Sequence, residues 1–197
     1  MHAMTIANWF IGWPADHWTP ADAVTRTRAA LPLPPGSRSM TGDDLHVTLA
    51  FLGACGEQAA QQAFDCALAQ ARTMPTTIDL QARAWALLGS SQSPSAVALE
   101  VADAGNEIHR LIADHRPQLY DAAQARPDRR PPRPHVTVAR LDRRLPTSPR
   151  QQLAHALGQR PPPEARLRLN ALALFTWTEQ RDERLFRRVR FCPLGKH

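Results

Sequence analysis

Two stretches of this chain repeat one phrase: His46-Val47-Thr48-Leu49-Ala50 and His135-Val136-Thr137-Val138-Ala139. Both copies sit in short β-branched, apolar runs, LHVTLAFLG and PHVTVARL, of the kind that form strands. Residues i and i+2 of a strand project to the same side, so each copy presents an imidazole and a hydroxyl together on a stiff element. Imidazole is the side chain that can give or take a proton near neutral pH. Hydroxyls can donate to the non-bridging oxygens of an anion. Two of each suit phosphodiester chemistry, in which one group activates water and another protonates the leaving oxygen. Neither motif has a neighbouring His, Asp, Glu or Cys at metal-ligand spacing, so the expectation is chemistry without a metal and without any other cofactor. The competing reading of each motif is an edge strand carrying a solvent-facing His and Thr.

The elements that must position these residues read as an approximate duplication. An apolar strand over 4–12 is followed by Thr19-Pro20 and Asp22, which predict a helix capped by Thr19 and running to about Ala30. The LPLPPGS loop then leads to the first motif strand at 45–52. A helix is expected from Glu57 to about Arg72 on the spacing of Ala60, Ala63, Phe64, Ala67 and Leu68. Strands at 76–88 and 95–101 follow, then a helix capped by Asp103, facing inward with Ile108, Leu111 and Ile112, and ending before Pro117. Residues 121–134, DAAQARPDRRPPRP, read as a loop entering the second motif strand at 134–141. Another short helix opens at Ser148-Pro149, and 166–178 with 184–191 read as an antiparallel pair around TEQRDE. Each half carries one motif. The expected fold is α+β, one bilobal domain over 1–197, with two pseudo-symmetric lobes of antiparallel strands, helices packed outside and the active-site cleft between them.

Composition narrows the class. The 197 residues suffice for a real core, and 43% hydrophobic content fits a globular protein. Its 18 Pro against 9 Gly imply many stiff connections. The formal charge of +6 is almost all Arg, with Lys196 the single Lys, and favours a polyanionic partner. A GC-rich coding sequence would produce the same bias, so the charge is supporting evidence only. Cys55, Cys66 and Cys192 make no disulfide or zinc pattern, and no leader or membrane span is legible. The expectation is a cytoplasmic monomer, unattached to any membrane.

At this point the residues carry a resemblance. The paired strands LHVTLAFLG and RPHVTVARL, the early WFIGWPADHW, the stretch SPSAVALEV and the final LALFTWTEQRDERLFRRVRF resemble the two-histidine (2H) phosphoesterase superfamily. Within it they are most similar to its bacterial RNA 2′,3′-cyclic phosphodiesterase (2′-5′ RNA ligase-like) branch. The resemblance implies His46 and His135 as the acid–base pair, with Thr48 and Thr137 binding phosphate. It also implies Arg140 on the phosphate and Phe51 stacked on a base. Strict alternation puts Phe51 and Arg140, five residues beyond each His, on the opposite face, so those roles require a strand end, twist or bulge. A core Phe51 and a solvated Arg140 are the alternatives. The implied reaction is hydrolysis of 2′,3′-cyclic phosphate at RNA 3′ ends to a 2′-phosphomonoester, with possible reverse 2′-5′ ligation. His46 would then be the acid to O3′ and His135 the base on water. Small substrates such as ADP-ribose cyclic phosphate or 2′-5′ oligoadenylate remain an alternative, as does a non-catalytic RNA-end binding module. Arg126, Arg129, Arg130 and Arg133 fit either an RNA-backbone contact or a solvated loop. Asp43 and Asp44 read as a turn. Trp85, Phe175 and Trp177 read as core.

Overall fold

A computed structural model describes residues 7–90, 92–179 and 184–195. Within them, ten strands form a single sheet in which every recorded pairing is antiparallel. The chain runs β1 (Trp9–Pro14), β2 (His17–Thr19), α1 (Ala23–Ala29), β3 (Arg38–Ser39) and β4 (His46–Gly53), then α2 (Glu57–Ala71), β5 (Ile78–Gly89) and β6 (Pro94–Ala102). It continues through α3 (Glu107–Ala122), β7 (His135–Arg140), α4 (Thr147–Gly158), β8 (Arg166–Leu169), β9 (Ala171–Trp177) and β10 (Phe186–Pro193). The sheet order is β10-β9-β1-β4-β7-β6-β5-β8-β2, with β3 also on β7.

Two stretches of the chain share one order of elements, and they are interlocked in the one sheet. β1-α1-β4-α2 and β6-α3-β7-α4 are the matching units, and their motif strands β4 and β7 meet at the centre of the sheet. Each unit then sends its next long strand into the other wing: β5 pairs with β6, and β9 pairs with β1. Helices α2 and α3 pack on each other and over β1, β4 and β9. The inward residues Val47, Leu49, Val136, Val138, Ile108 and Phe64 are each at most 2% exposed. Alternation leaves the His and Thr of both motifs on the opposite side.

Several local expectations are corrected. Thr19 ends β2 rather than capping α1, whose cap position is Asp22, so Pro20 lies ahead of the helix. Helix α3 runs through Pro117 to Ala122, because Leu119 and Tyr120 beyond the proline are buried and hold the last turn in place. Asp103 does cap this helix, accepting from the Glu107 and Ile108 N–H groups at 2.7 and 3.0 Å. The run 166–178 divides at Asn170: β8 joins β5 and β2, and only β9 pairs with β10. β2 and β3 are too short to show a period. Positions 4–6 of the first expected strand and 180–183 of the final connection lie outside the described residues.

Candidate active site

Both motif strands begin at their histidine, and they meet through the pair Val47↔Val136. This antiparallel register sets His46 beside Thr137 and Thr48 beside His135, a four-residue cluster with a pseudo-twofold axis through the two valines. His46, Thr48 and His135 are partly exposed, and Thr137 is 9% exposed.

The two rings are held by the same device. His46 Nδ1 lies 2.8 Å from the Asp44 carbonyl, and His135 Nδ1 lies 2.6 Å from the Arg133 carbonyl. A carbonyl can only accept, so each Nδ1 carries its hydrogen, and each Nε2 is left for the open face.

Their surroundings differ. His46 sits among Phe10, Phe175 and Phe186, with ring centroids 4.5, 5.3 and 5.4 Å away. That burial lowers its pKa to about 3 against the Asp44 hydrogen bond, and the charges of His135, Arg140 and Arg188 lower it further. His135 is also held below the ordinary imidazole value, first by burial and then by Arg133 and Arg140. Its hydrogen bond to Arg133 and the charge of Glu100 act the other way. Glu100 is its cross-strand partner on β6 and forms an ion pair with Arg133.

The parity problem at Phe51 and Arg140 is resolved by two bulges. Between Ile11↔Ala50 and Gly12↔Thr48 the β4 strand carries one extra residue, Leu49. Between Val97↔Ala139 and Ala98↔Thr137 the β7 strand carries Val138 in the same way. Each bulge falls three residues after its histidine and returns the fifth residue to the site face. Phe51 is the cross-strand partner of Phe10, which touches His46, and is 52% exposed. It is therefore no core residue. Arg140 lowers the pKa of both histidines, so its charge reaches the centre. Gly12 permits the first bulge: a Cβ there would lie 2.5 Å from the Val47 carbonyl oxygen.

Asp44 does more than turn the chain. Its carboxylate, 1% exposed, accepts from the Leu185 and Phe186 N–H groups at 2.8 Å each, while its carbonyl orients His46. One residue thus fixes the imidazole and the strand that brings Phe186 against it. A short acidic side chain two residues before a motif histidine was the available signal, and turn propensity masked it. Phe175 is core as expected, whereas Trp177 lines an open cavity and Trp85 is partly exposed with its Nε1 donating to Pro161. In the basic loop, Arg130 pairs with Asp128 and Arg133 with Glu100. Among the described residues, no group of three or more His, Cys, Asp or Glu gathers as metal ligands would, and no helix is long and apolar enough to cross a membrane.

Residues 13–181 match the model of the 2′-5′ RNA ligase superfamily. The chain belongs to that superfamily. Solved structures share the fold of this 2′-5′ RNA ligase superfamily member. The chain is similar to E. coli LigT complexed with 3′-AMP (TM-score 0.67, 19% identity, covering 96% of this chain and 98% of that one). It is also similar to TT0787 of Thermus thermophilus (TM-score 0.68, 18% identity, covering 96% and 100%). A protein described as a phosphoesterase matches over 95% of this chain and 97% of its own (TM-score 0.64, 19% identity). No curated protein matches the sequence.

Proposed function

We propose that this protein hydrolyses 2′,3′-cyclic phosphates at RNA 3′ ends to 2′-phosphomonoesters without a metal, and that the reverse 2′-5′ ligation is open to the same site. The observation that carries this reading is the pair of imidazoles on adjoining strands, each tied through Nδ1 to a carbonyl two residues back and each leaving Nε2 free. Superfamily membership supports it. So do the structures of E. coli LigT complexed with 3′-AMP, ATP and NADP+, which put that relative among nucleotide binders.

In the proposed reaction the phosphate rests on Thr48, Thr137 and Arg140, with the terminal base on Phe51. Water attacks phosphorus as His135 Nε2 takes its proton. The P–O3′ bond breaks, and His46 Nε2–H protonates O3′. The product is a 2′-phosphate and a free 3′-hydroxyl, and the two histidines end with their protonation states exchanged. His46 must begin as imidazolium, although burial holds it neutral in the free protein; the bound anion raises its pKa. The deeper depression of His46 favours a second reading with the roles reversed, in which His135, aided by Glu100, gives the proton. A substrate with a good leaving group at O3′ separates the two: it rescues whichever His→Ala variant lacks the acid.

The test is incubation with 2′,3′-cyclic AMP and with an RNA ending in a cyclic phosphate, in EDTA, resolving 2′ from 3′ products. Chelator-resistant formation of the 2′-phosphate is expected. Turnover lost in EDTA and restored by a divalent ion, or no turnover of either substrate, would overturn the reading.

A further inference from the structure

Beside the histidine pair, on the Arg140 side, lies a cavity of about 320 Å³ that the proposed reaction does not use in full. Arg38, Arg140 and Arg143 line it together with Ser95, Trp177 and Phe186, and among the described residues none that lines it is acidic. Phe186 is the ring that packs edge-on against His46, so the cavity begins at the reaction centre.

The three guanidinium groups arrive from separate, fixed elements. Arg38 is the cross-strand partner of Arg140, on a two-residue strand held to β7 by the hydrogen bond from Met40 N–H to Val138 O (2.9 Å). Arg143 lies in the turn after β7. Buried Arg150 clamps that turn by donating to the carbonyls of Asp142, Arg143 and Leu145. Arg143 is close enough to Arg140 to oppose its charge. Among the described residues, none of the three guanidinium groups has an ion pair or hydrogen bond. By contrast, Arg26, Arg130, Arg133, Arg168, Arg188 and Arg190 are each paired with a carboxylate. Three like charges gathered against an aromatic wall, with no counter-ion among the described residues, repel one another unless an anion joins them.

We propose that this cavity is a second phosphate subsite, in which Arg38 and Arg143 bind the 5′-phosphate of the nucleoside whose cyclic phosphate is opened, making the preferred substrate one with two phosphates across a single ribose. The inference rests on the proposed reaction for its first phosphate. Arg140 stands at the boundary of the two seats. Trp177 and Phe186 offer an apolar wall to the nucleotide that continues beyond the 5′-phosphate in an RNA chain.

Calorimetry tests the subsite without turnover. Adenosine 2′,5′-bisphosphate should bind the wild-type protein about 10–100-fold more tightly than adenosine 2′-monophosphate, the span of one or two charge-assisted hydrogen bonds. In Arg38→Ala/Arg143→Ala that ratio should fall towards one, and Arg38→Lys/Arg143→Lys should restore part of it. Equal affinities in the wild type, or a ratio untouched by the double substitution, would overturn the proposal.

Kinetics then separates the sources of the phosphate. The ratio of kcat/KM over an unphosphorylated nucleoside cyclic phosphate should rise for a 5′-phosphorylated one and for a dinucleotide with a cyclic end. It should return to about one when the internucleoside phosphate is replaced by an uncharged methylphosphonate. The larger gain identifies a free nucleotide or an RNA chain as the natural source. Absence of all turnover would defeat the proposed reaction, while the calorimetric ratio would still decide the subsite.

Discussion

Strands β4 and β7 carry the same phrase and the same backbone devices, yet they place their histidines in unlike company. Both begin at the histidine, hold its Nδ1 with a carbonyl two residues back and bulge three residues later. Around His46 stand three phenyl rings, whereas His135 faces Glu100 on β6 and that residue's ion-pair partner Arg133. The motif therefore supplies a pair of equivalent imidazoles, and the neighbouring strands make them inequivalent. In the proposed reaction, a division of acid and base roles would come from β1, β9 and β10 on one side and from β6 on the other. Nothing in the repeated four residues could assign it.

Removal of either imidazole should have the largest effect. His46→Ala and His135→Ala should each cost about 10²–10⁴-fold in kcat on a cyclic phosphate, the range of general acid–base catalysis. Steady-state assays that find either variant near wild-type would exclude that histidine from the reaction.

The aromatic setting of His46 should also show in stability against pH. Its folded pKa lies below the unfolded value, so the unfolded chain binds the extra proton. Stability contributed by neutral His46 is complete above about 6.5 and falls as the pH drops towards about 3, with a slope on the order of 1.4 kcal/mol per pH unit. Urea midpoints of His46→Gln should show a shallower acid limb over that window. An identical limb would mean the ring is not desolvated.

Gly12→Ala probes the device under the first motif alone. Its Cβ meets the Val47 carbonyl, and the strain should cost about 1–3 kcal/mol in a denaturant melt. Cyclic-phosphate turnover should drop with it, because Thr48 lies directly opposite. Glu100→Gln probes the second motif alone. Loss of the carboxylate removes a charge that favours imidazolium, so the His135 titration should move to lower pH while that of His46 stays. The smallest change in stability is expected from Phe51→Ala. This ring is 52% exposed, so stability should shift by no more than about 0.5 kcal/mol. KM for a nucleotide should rise by roughly 5–100-fold if the ring stacks on the base.

The sequence made the chemistry more legible than the geometry that serves it. The paired histidines and threonines, the spacing of Ala60, Ala63 and Phe64 along α2 and the cap at Asp103 are local signals, and local physics enforces them. The bulges at Leu49 and Val138 have no such signal. Neither residue is a glycine or proline, and the extra residue is imposed by pairing with β1 and β6, far away in sequence. Arg38 was invisible for the same reason, since a two-residue strand has no period and gains its meaning from lying against Arg140. Pro117 misled because tertiary burial of Leu119 and Tyr120 outweighs the break it would make in an isolated helix. The exchange of β5 and β9 between wings is likewise a property of the assembled sheet.

In the proposed reaction two identically tethered imidazoles present free Nε2 atoms to one shared anion. Two-dimensional ¹H–¹⁵N NMR of the histidine side chains, titrated with and without adenosine 2′-monophosphate, reads tautomer and pKa at both sites. The Nδ1–H tautomer is expected at both, with titration below 6.5, His46 the lower, and an upward shift of both on adding the nucleotide. An Nε2–H tautomer at either histidine, or a pair of titrations that ignore the nucleotide, would contradict it.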